Sequence, residues 1–79
     1  MKRFVTELTG KTVMTNDGRI LGVIENFVVD TRSGHVQDVL VAPAEDIDVR
    51  AFRADSQGRL LLPFQGMRAI RDVVVMDLS

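Results

Sequence analysis

The sequence predicts an all-β fold, a small six-stranded β-barrel built from antiparallel hairpins with little or no helix. Three observations lead to this prediction. Short runs rich in Val, Ile, Leu and Phe recur along the chain, and none of them shows a helical period. Turn signals built on Gly, Asn, Asp and Pro separate the runs. Several runs are apolar on both faces, which is typical of strands that are covered on both sides or bend strongly, as in a small barrel.

The stretch over residues 16–42 is a long β-hairpin around which the other elements are arranged. It begins with the turn signal Asn16-Asp17-Gly18, and a second signal, Thr31-Arg32-Ser33-Gly34, divides two β-rich runs. We predict strands over residues 20–30 and 35–42. Gly22 is the position at which the first of them is expected to bend.

Shorter strands are predicted on either side of this hairpin. Pro43 and Pro63 each end the strand before them, and the acidic residues 44–48 form a loop or a single helical turn. A leading segment is expected to lay Phe4 against the barrel. The shorter strands are a first strand over 12–15, an edge strand over 49–53, its return over 59–62 after a turn at 55–58, a short strand or 3₁₀ turn over 67–70, and a final strand over 73–78.

Composition limits the class of protein. The 79 residues are expected to form one domain over 1–79, and the absence of cysteine excludes structural disulfides and thiolate metal sites. Ten basic residues are offset by eleven acidic ones, so the net charge of −1 gives no reason to expect nucleic acid or an anionic membrane surface as a partner. No apolar run is long enough to span a bilayer. We therefore expect a cytoplasmic protein that reaches a membrane only through a partner.

Residues suited to catalysis or metal binding do not form a recognisable constellation in the sequence. His35 is the only imidazole, and its position directly after Gly34 is typical of an exposed residue at the start of a strand. The acidic residues Glu45, Asp46 and Asp48 lack the spacing of a calcium loop. The sequence predicts a protein that is not an enzyme and that has no cofactor and no metal.

Arginines provide the alternative hypothesis, an RNA-binding patch. Such a patch is usually helped by exposed aromatic residues for base stacking, and Phe is the only aromatic type in the chain. A charged barrel surface is the favoured interpretation because acidic residues are as numerous. The arginines that would form the patch are Arg50, Arg53 and Arg59, joined by Arg68 and Arg71.

Apolar residues exceed what so small a barrel can enclose. Some of them must lie outside, where a contiguous patch indicates a surface for association with another protein. The corner after the fifth run and the last strand are the places where we expect this surface, although for any single residue a place in the core is an equally good interpretation. The candidate interface residues are Phe64, Met67, Ile70, Val74 and Met76.

The order of the motifs resembles the PRC-barrel domain family, named for the photosynthetic reaction centre H subunit. Each motif is short, and it is their joint order along nearly the whole chain that is specific. The matching segments are LTGKTV at residues 8–13, DGRILGVI at 17–24, VVDTRSGHV at 28–36, LPF at 62–64 and IRDVVV at 70–75.

Within this family the chain resembles stand-alone archaeal proteins, through Met14-Thr15 before the first turn and Pro63-Phe64 after the fifth run. Some of these, of the CdpB type, link the FtsZ ring to the SepF membrane anchor and associate as homodimers or as heterodimers with a paralogue. The resemblance thus implies a dimerising adaptor in archaeal cell division, recruited to the division site by a SepF-like protein. The RimM ribosome maturation factor also carries a PRC-barrel, behind a separate domain without a counterpart here, so an RNA- or ribosome-associated module is the alternative.

Overall fold

The computed structural model describes residues 7–70 and 72–77. Within them, short 3₁₀ turns at Val49–Ala51 and Phe64–Gly66 interrupt a fold made of strands. The strands are β1 (Thr12–Thr15), β2 (Ile20–Val29), β3 (Val36–Pro43), β4 (Leu60–Pro63), β5 (Met67–Ile70) and β6 (Val73–Met76).

The six strands form one sheet in the order β4-β3-β2-β1-β6-β5. Neighbouring strands are antiparallel except β1 and β6, which are parallel. The edge strands β4 and β5 follow each other in the chain and are joined by the corner at Phe64–Gly66, so the sheet curls like a barrel although the ladder of the described residues does not close. The prediction of a six-stranded all-β fold is confirmed.

The β2–β3 hairpin is also confirmed, and backbone hydrogen bonds fix the turns at the two ends of β2. In the first, the N–H of Gly18 donates to the carbonyl of Thr15 at 2.9 Å. In the second, the N–H of Gly34 donates to the carbonyl of Asp30 at 2.7 Å, while the Asp30 carboxylate accepts the N–H of Arg32 at 2.9 Å. Glycine is needed at both turns because φ is +92° at Gly18 and +78° at Gly34.

A β-bulge occupies the place where the sequence predicts a bend in β2. Val13 lies opposite Gly22 and Met14 opposite Ile20, so Leu21 is an extra residue in β2. At Gly22 φ is +155°, and a Cβ there would lie 2.0 Å from the carbonyl oxygen of Ala42. Only glycine permits this close approach of β2 and β3.

The predicted edge strand over residues 49–53 is wrong. Asp48 caps a 3₁₀ turn instead, its carboxylate accepting the N–H of Arg50 at 3.0 Å. Phe52 packs against the core from this segment, and strand-like contact with the sheet is limited to an isolated bridge between Ala54 and Leu60. The alternation of apolar and charged residues here is therefore not that of a strand. The segment forms a 3₁₀ turn and packs Val49 and Phe52 against the core. The predicted packing of Phe4 lies outside the described residues.

The core lies between the concave side of the curled sheet and residues 47–52. Every strand except β5 contributes a fully buried side chain, and Leu8 and Ile47 come from the connecting segments. The core consists of Leu8, Val13, Leu21, Ile24, Val39, Val41, Ile47, Leu60, Leu62, Val74 and Met76.

Candidate protein-interaction surface

Strand β6 is apolar on both sides, but within the described residues only one side is fully buried. Val74 and Met76 are each 1% exposed and belong to the core. Val73 and Val75 alternate with them, point to the opposite side and are only half-buried. The convex side of the sheet therefore carries aliphatic side chains as well.

The neighbouring strands extend this apolar convex side. Residues directly opposite each other on paired strands share a face, so the strand registers define two rows of side chains across β5, β6, β1 and β2. One row is Ile70, Val73, Thr12 and Val23, and the other is Arg68, Val75, Met14 and Ile20. We call the six apolar members the outer face: Met14, Ile20, Val23, Ile70, Val73 and Val75.

Exposure is highest where the rows end. Ile20 is 50% exposed, Val23 40% and Ile70 52%. These are three of the four large apolar residues that stand out as exposed within the described chain, and the fourth, Val29 at 44%, lies at the far end of β2. A cluster of this kind, as opposed to single exposed apolar residues, is what marks an interaction surface.

The bulge in β2 is the local cause of this arrangement. Residues three apart in a regular strand lie on opposite faces. Because Leu21 is an extra residue, Ile20 and Val23 both reach the convex side while Leu21 is fully buried. The glycine that permits the bulge therefore also creates one end of the outer face.

The structure separates the five predicted interface residues. Ile70 lies on the outer face, whereas Phe64 and Met67 are half-buried against the core. The ring of Phe64 meets that of Phe27 edge to face, with centroids 6.4 Å apart. The prediction that places Val74 and Met76 at the interface is corrected: their side chains point to the concave side of the sheet and belong to the core.

Sequence reasoning missed the other outer-face residues. The run Val73-Val74-Val75-Met76 does not show which of its side chains point outward, and a shift of one position along a strand moves a side chain to the opposite face. The pattern around Ile20 and Val23 indicates only a strand with two apolar sides. The signal that identifies them is Gly22, whose bulge sets the phase of β2.

Arginines of the alternative RNA-binding patch are mostly paired with carboxylates. Arg68 lies instead in a row of the outer face, and Arg71 is outside the described residues. Each of the other three lies within ion-pair distance of a carboxylate. The pairs are Arg50–Asp48 at 3.1 Å, Arg53–Asp38 at 3.9 Å and Arg59–Asp55 at 2.8 Å.

Two of these carboxyls have pKa values below the ordinary range. At Asp48 the guanidinium and then the N–H of Arg50 lower the pKa by hydrogen bonding. At Asp55 partial burial raises the pKa, but hydrogen bonds from the N–H and the guanidinium of Arg59, with the N–H of Gln57, outweigh it, so the pKa is lowered overall. Both carboxyls act as structural hydrogen-bond acceptors in turns.

Other candidate groups remain apart in the structure. His35 is exposed, and its backbone N–H donates to the hydroxyl of Ser33 at 3.2 Å. Across residues 7–70 and 72–77, we find no cluster of three or more His, Cys, Asp or Glu side chains placed to share a metal ion. The same residues contain no helix with the length and apolar character needed to cross a membrane.

Fold and surface together define a small all-β module with a curled six-stranded sheet and an apolar convex side. The PRC-barrel domain profile matches residues 1–79, and the chain belongs to the PRC-barrel domain family. It is similar to an uncharacterized protein of the archaeon Methanocaldococcus jannaschii, with 31% identity over 68 residues that cover 85% of this chain and 72% of the relative. The family resemblance seen in the motifs is confirmed.

Proposed function

We propose that this protein is a non-catalytic adaptor that associates with a second copy or a paralogous PRC-barrel and holds a further protein on its outer face. The observation that carries the proposal is the outer face itself. Ile20, Val23 and Ile70 are about half exposed, and they lie in two continuous rows across four strands.

The free energy for binding would come mainly from covering these aliphatic side chains, at about 25 cal/mol per Å² of apolar surface removed from water. Thr12 and Arg68 lie within the same rows and supply polar groups that orient a partner. Four strands span only about 15 Å, so the outer face is small beside the ~800 Å² that each partner contributes to a standard interface. We therefore expect a transient contact.

The finer form of the proposal concerns archaeal cell division. The adaptor would link components of the FtsZ-based division machinery to a SepF-like membrane anchor, which would recruit it from the cytoplasm to the division site. Membership of the PRC-barrel family and similarity to an archaeal protein support this form. Met14-Thr15 before the first turn and Pro63-Phe64 after the fifth run support it further, because they resemble the corresponding residues of stand-alone archaeal members.

A pair of matched variants tests the outer face. Val23 and Val29 are both exposed valines of β2, at 40% and 44%, but only Val23 belongs to the outer face. Val23→Asp would place a carboxylate in the covered contact, and we expect it to weaken binding of the host cell's SepF-like anchor by roughly tenfold or more. Val29→Asp should bind like the wild type. Calorimetric titration with purified anchor measures the affinities, and thermal melts show whether both variants are folded.

Two results would contradict the proposal. Equal losses in Val23→Asp and Val29→Asp would show that the outer face is not the contact surface. If the wild type binds neither the SepF-like anchor nor a paralogous PRC-barrel from the same cell, the role in division is wrong.

A further inference from the structure

The two edges of the sheet differ in how they are protected. At the β4 edge the N–H of Leu61 donates to the carbonyl of Arg53 at 2.9 Å, Ala54 bridges to Leu60, and Pro63 has no N–H to offer. Within the described residues, β5 has a neighbour on one side only, strand β6. An edge of this kind is a template for another strand.

One hydrogen bond shows which groups of β5 face outward. The N–H of Asp77 donates to the carbonyl of Gly66 at 3.2 Å, so these residues form a hydrogen-bonded pair at the end of the β5–β6 ladder. Bonded and non-bonded pairs alternate in an antiparallel ladder. Arg68 and Ile70 therefore bond to β6, whereas Ala69 directs both its N–H and its C=O to the open edge.

We propose that β5 pairs in antiparallel fashion with β5 of a second copy, about a two-fold axis at Ala69. Each Ala69 N–H donates to the Ala69 carbonyl of the other copy. The two sheets then form one continuous sheet in which both outer faces lie on the same side. The interface is isologous, since the same strand is used by both copies.

Side-chain placement selects this register. Residues directly opposite each other on paired strands point to the same face. A two-fold axis perpendicular to the sheet satisfies this only if one residue of β5 lies opposite the same residue of the second copy. The overlap of the two strands is longest when that residue is Arg68 or Ala69. Centring on Arg68 would set two guanidinium groups directly opposite each other, which is unfavourable. Centring on Ala69 places Arg68 beside Ile70 of the second copy, where its aliphatic stem covers an exposed side chain.

The inference rests on the proposed function and deepens it by separating two tasks. Self-association uses the β5 edge and leaves most of the outer face uncovered. The dimer then presents two outer faces side by side, and a partner with two copies of its own would bind with a raised effective concentration. An adaptor built in this way gains avidity from a small contact surface.

A single introduced cysteine tests the register directly, because the chain has none. Cα atoms of a hydrogen-bonded antiparallel pair are about 5.5 Å apart, within the range that a disulfide spans. Under mild oxidation we expect Ala69→Cys to form a disulfide-linked dimer rapidly. Ser56→Cys, exposed in the turn before β4, is the control and should remain mostly monomeric. Equal cross-linking of both variants would overturn the proposal.

Sedimentation equilibrium gives an independent measurement. Ala69→Pro removes the outward N–H without touching the bonds to β6, so we expect dimerisation to weaken by roughly tenfold or more while the melting temperature stays close to that of wild type. Ala69→Ser keeps the N–H and should dimerise normally. A wild type that is monomeric throughout, or an Ala69→Pro variant that dimerises like wild type, would overturn the proposal.

The same variants separate this inference from the proposed function. Ala69→Pro should still bind the SepF-like anchor as a monomer, and Val23→Asp should still dimerise. If Ala69→Pro stays dimeric while Val23→Asp loses the anchor, only the edge pairing is wrong. If Ala69→Pro becomes monomeric while Val23→Asp binds the anchor normally, only the outer-face proposal is wrong.

Discussion

The two faces of strand β6 are made of the same kind of residue but have different environments. Val74 and Met76 are enclosed by the curled sheet and residues 47–52, whereas Val73 and Val75 point to the convex side and are only half-buried. Hydrophobicity alone therefore does not distinguish core from surface in this strand. What distinguishes them is how fully the described residues cover each side: the concave side of β6 is closed, and the convex side is covered only in part.

The largest effect is expected at Gly22, because the bulge there determines which side chains of β2 point to the convex side. A Cβ at Gly22 would meet the Ala42 carbonyl oxygen at 2.0 Å and the Val41 side chain at 2.9 Å. Gly22→Ala must therefore push β2 and β3 apart, and we expect it to lower the free energy of unfolding by about 3 kcal/mol or more. Gly18→Ala is the control, with φ at +92° but nothing within 4 Å, and should cost only about 1 kcal/mol. Urea denaturation measures both, and equal costs would contradict the role of the bulge.

A smaller effect is expected from shortening one side chain on each face of β6. Val74→Ala should lower the free energy of unfolding by about 2 kcal/mol, because it leaves a cavity in a closed core. Val75→Ala should cost less than about 1 kcal/mol, since its side chain is already partly in water. Chemical denaturation of both variants decides the matter. A larger cost at Val75 would mean that the assignment of inner and outer faces is reversed.

The smallest effect is expected at Asp55, in the turn that precedes β4. The pKa of Asp55 is lowered in the folded state, so its carboxylate stabilises the fold above the ordinary carboxyl pKa, and this contribution is lost as the pH falls through the folded-state pKa. Asp55→Asn should therefore melt at a lower temperature than wild type at neutral pH. At strongly acidic pH the two melting temperatures should converge. A constant difference at every pH would show that the charge of Asp55 is not responsible.

Much of the fold is visible in the sequence because hairpin turns are local. Gly18 and Gly34 mark the ends of β2, and both turns form where predicted. The phase of β6 is not local. Val73-Val74-Val75-Met76 contains no polar residue to mark the solvent side, and its phase is set by parallel pairing with β1 at the other end of the chain. The sequence therefore places two of the five predicted interface residues, Val74 and Met76, on the wrong side of the sheet.

The error at residues 49–53 has a different cause. Val49, Ala51 and Arg53 alternate with Arg50 and Phe52, which is a regular strand pattern. The deciding group is the carboxylate just before them, which caps a 3₁₀ turn by accepting a backbone N–H. A capping residue outside the periodic segment outweighed the period within it.

The parallel ladder between β1 and β6 also bears on the order of folding. It joins Thr12 to Val73, and closing so long a loop costs chain entropy before its contacts repay it, so this ladder is expected to form late. Val73 and Val75 come to lie beside Thr12 and Met14 only at that step. A binding partner that recognises this surface would therefore bind only chains in which β1 and β6 have already come together.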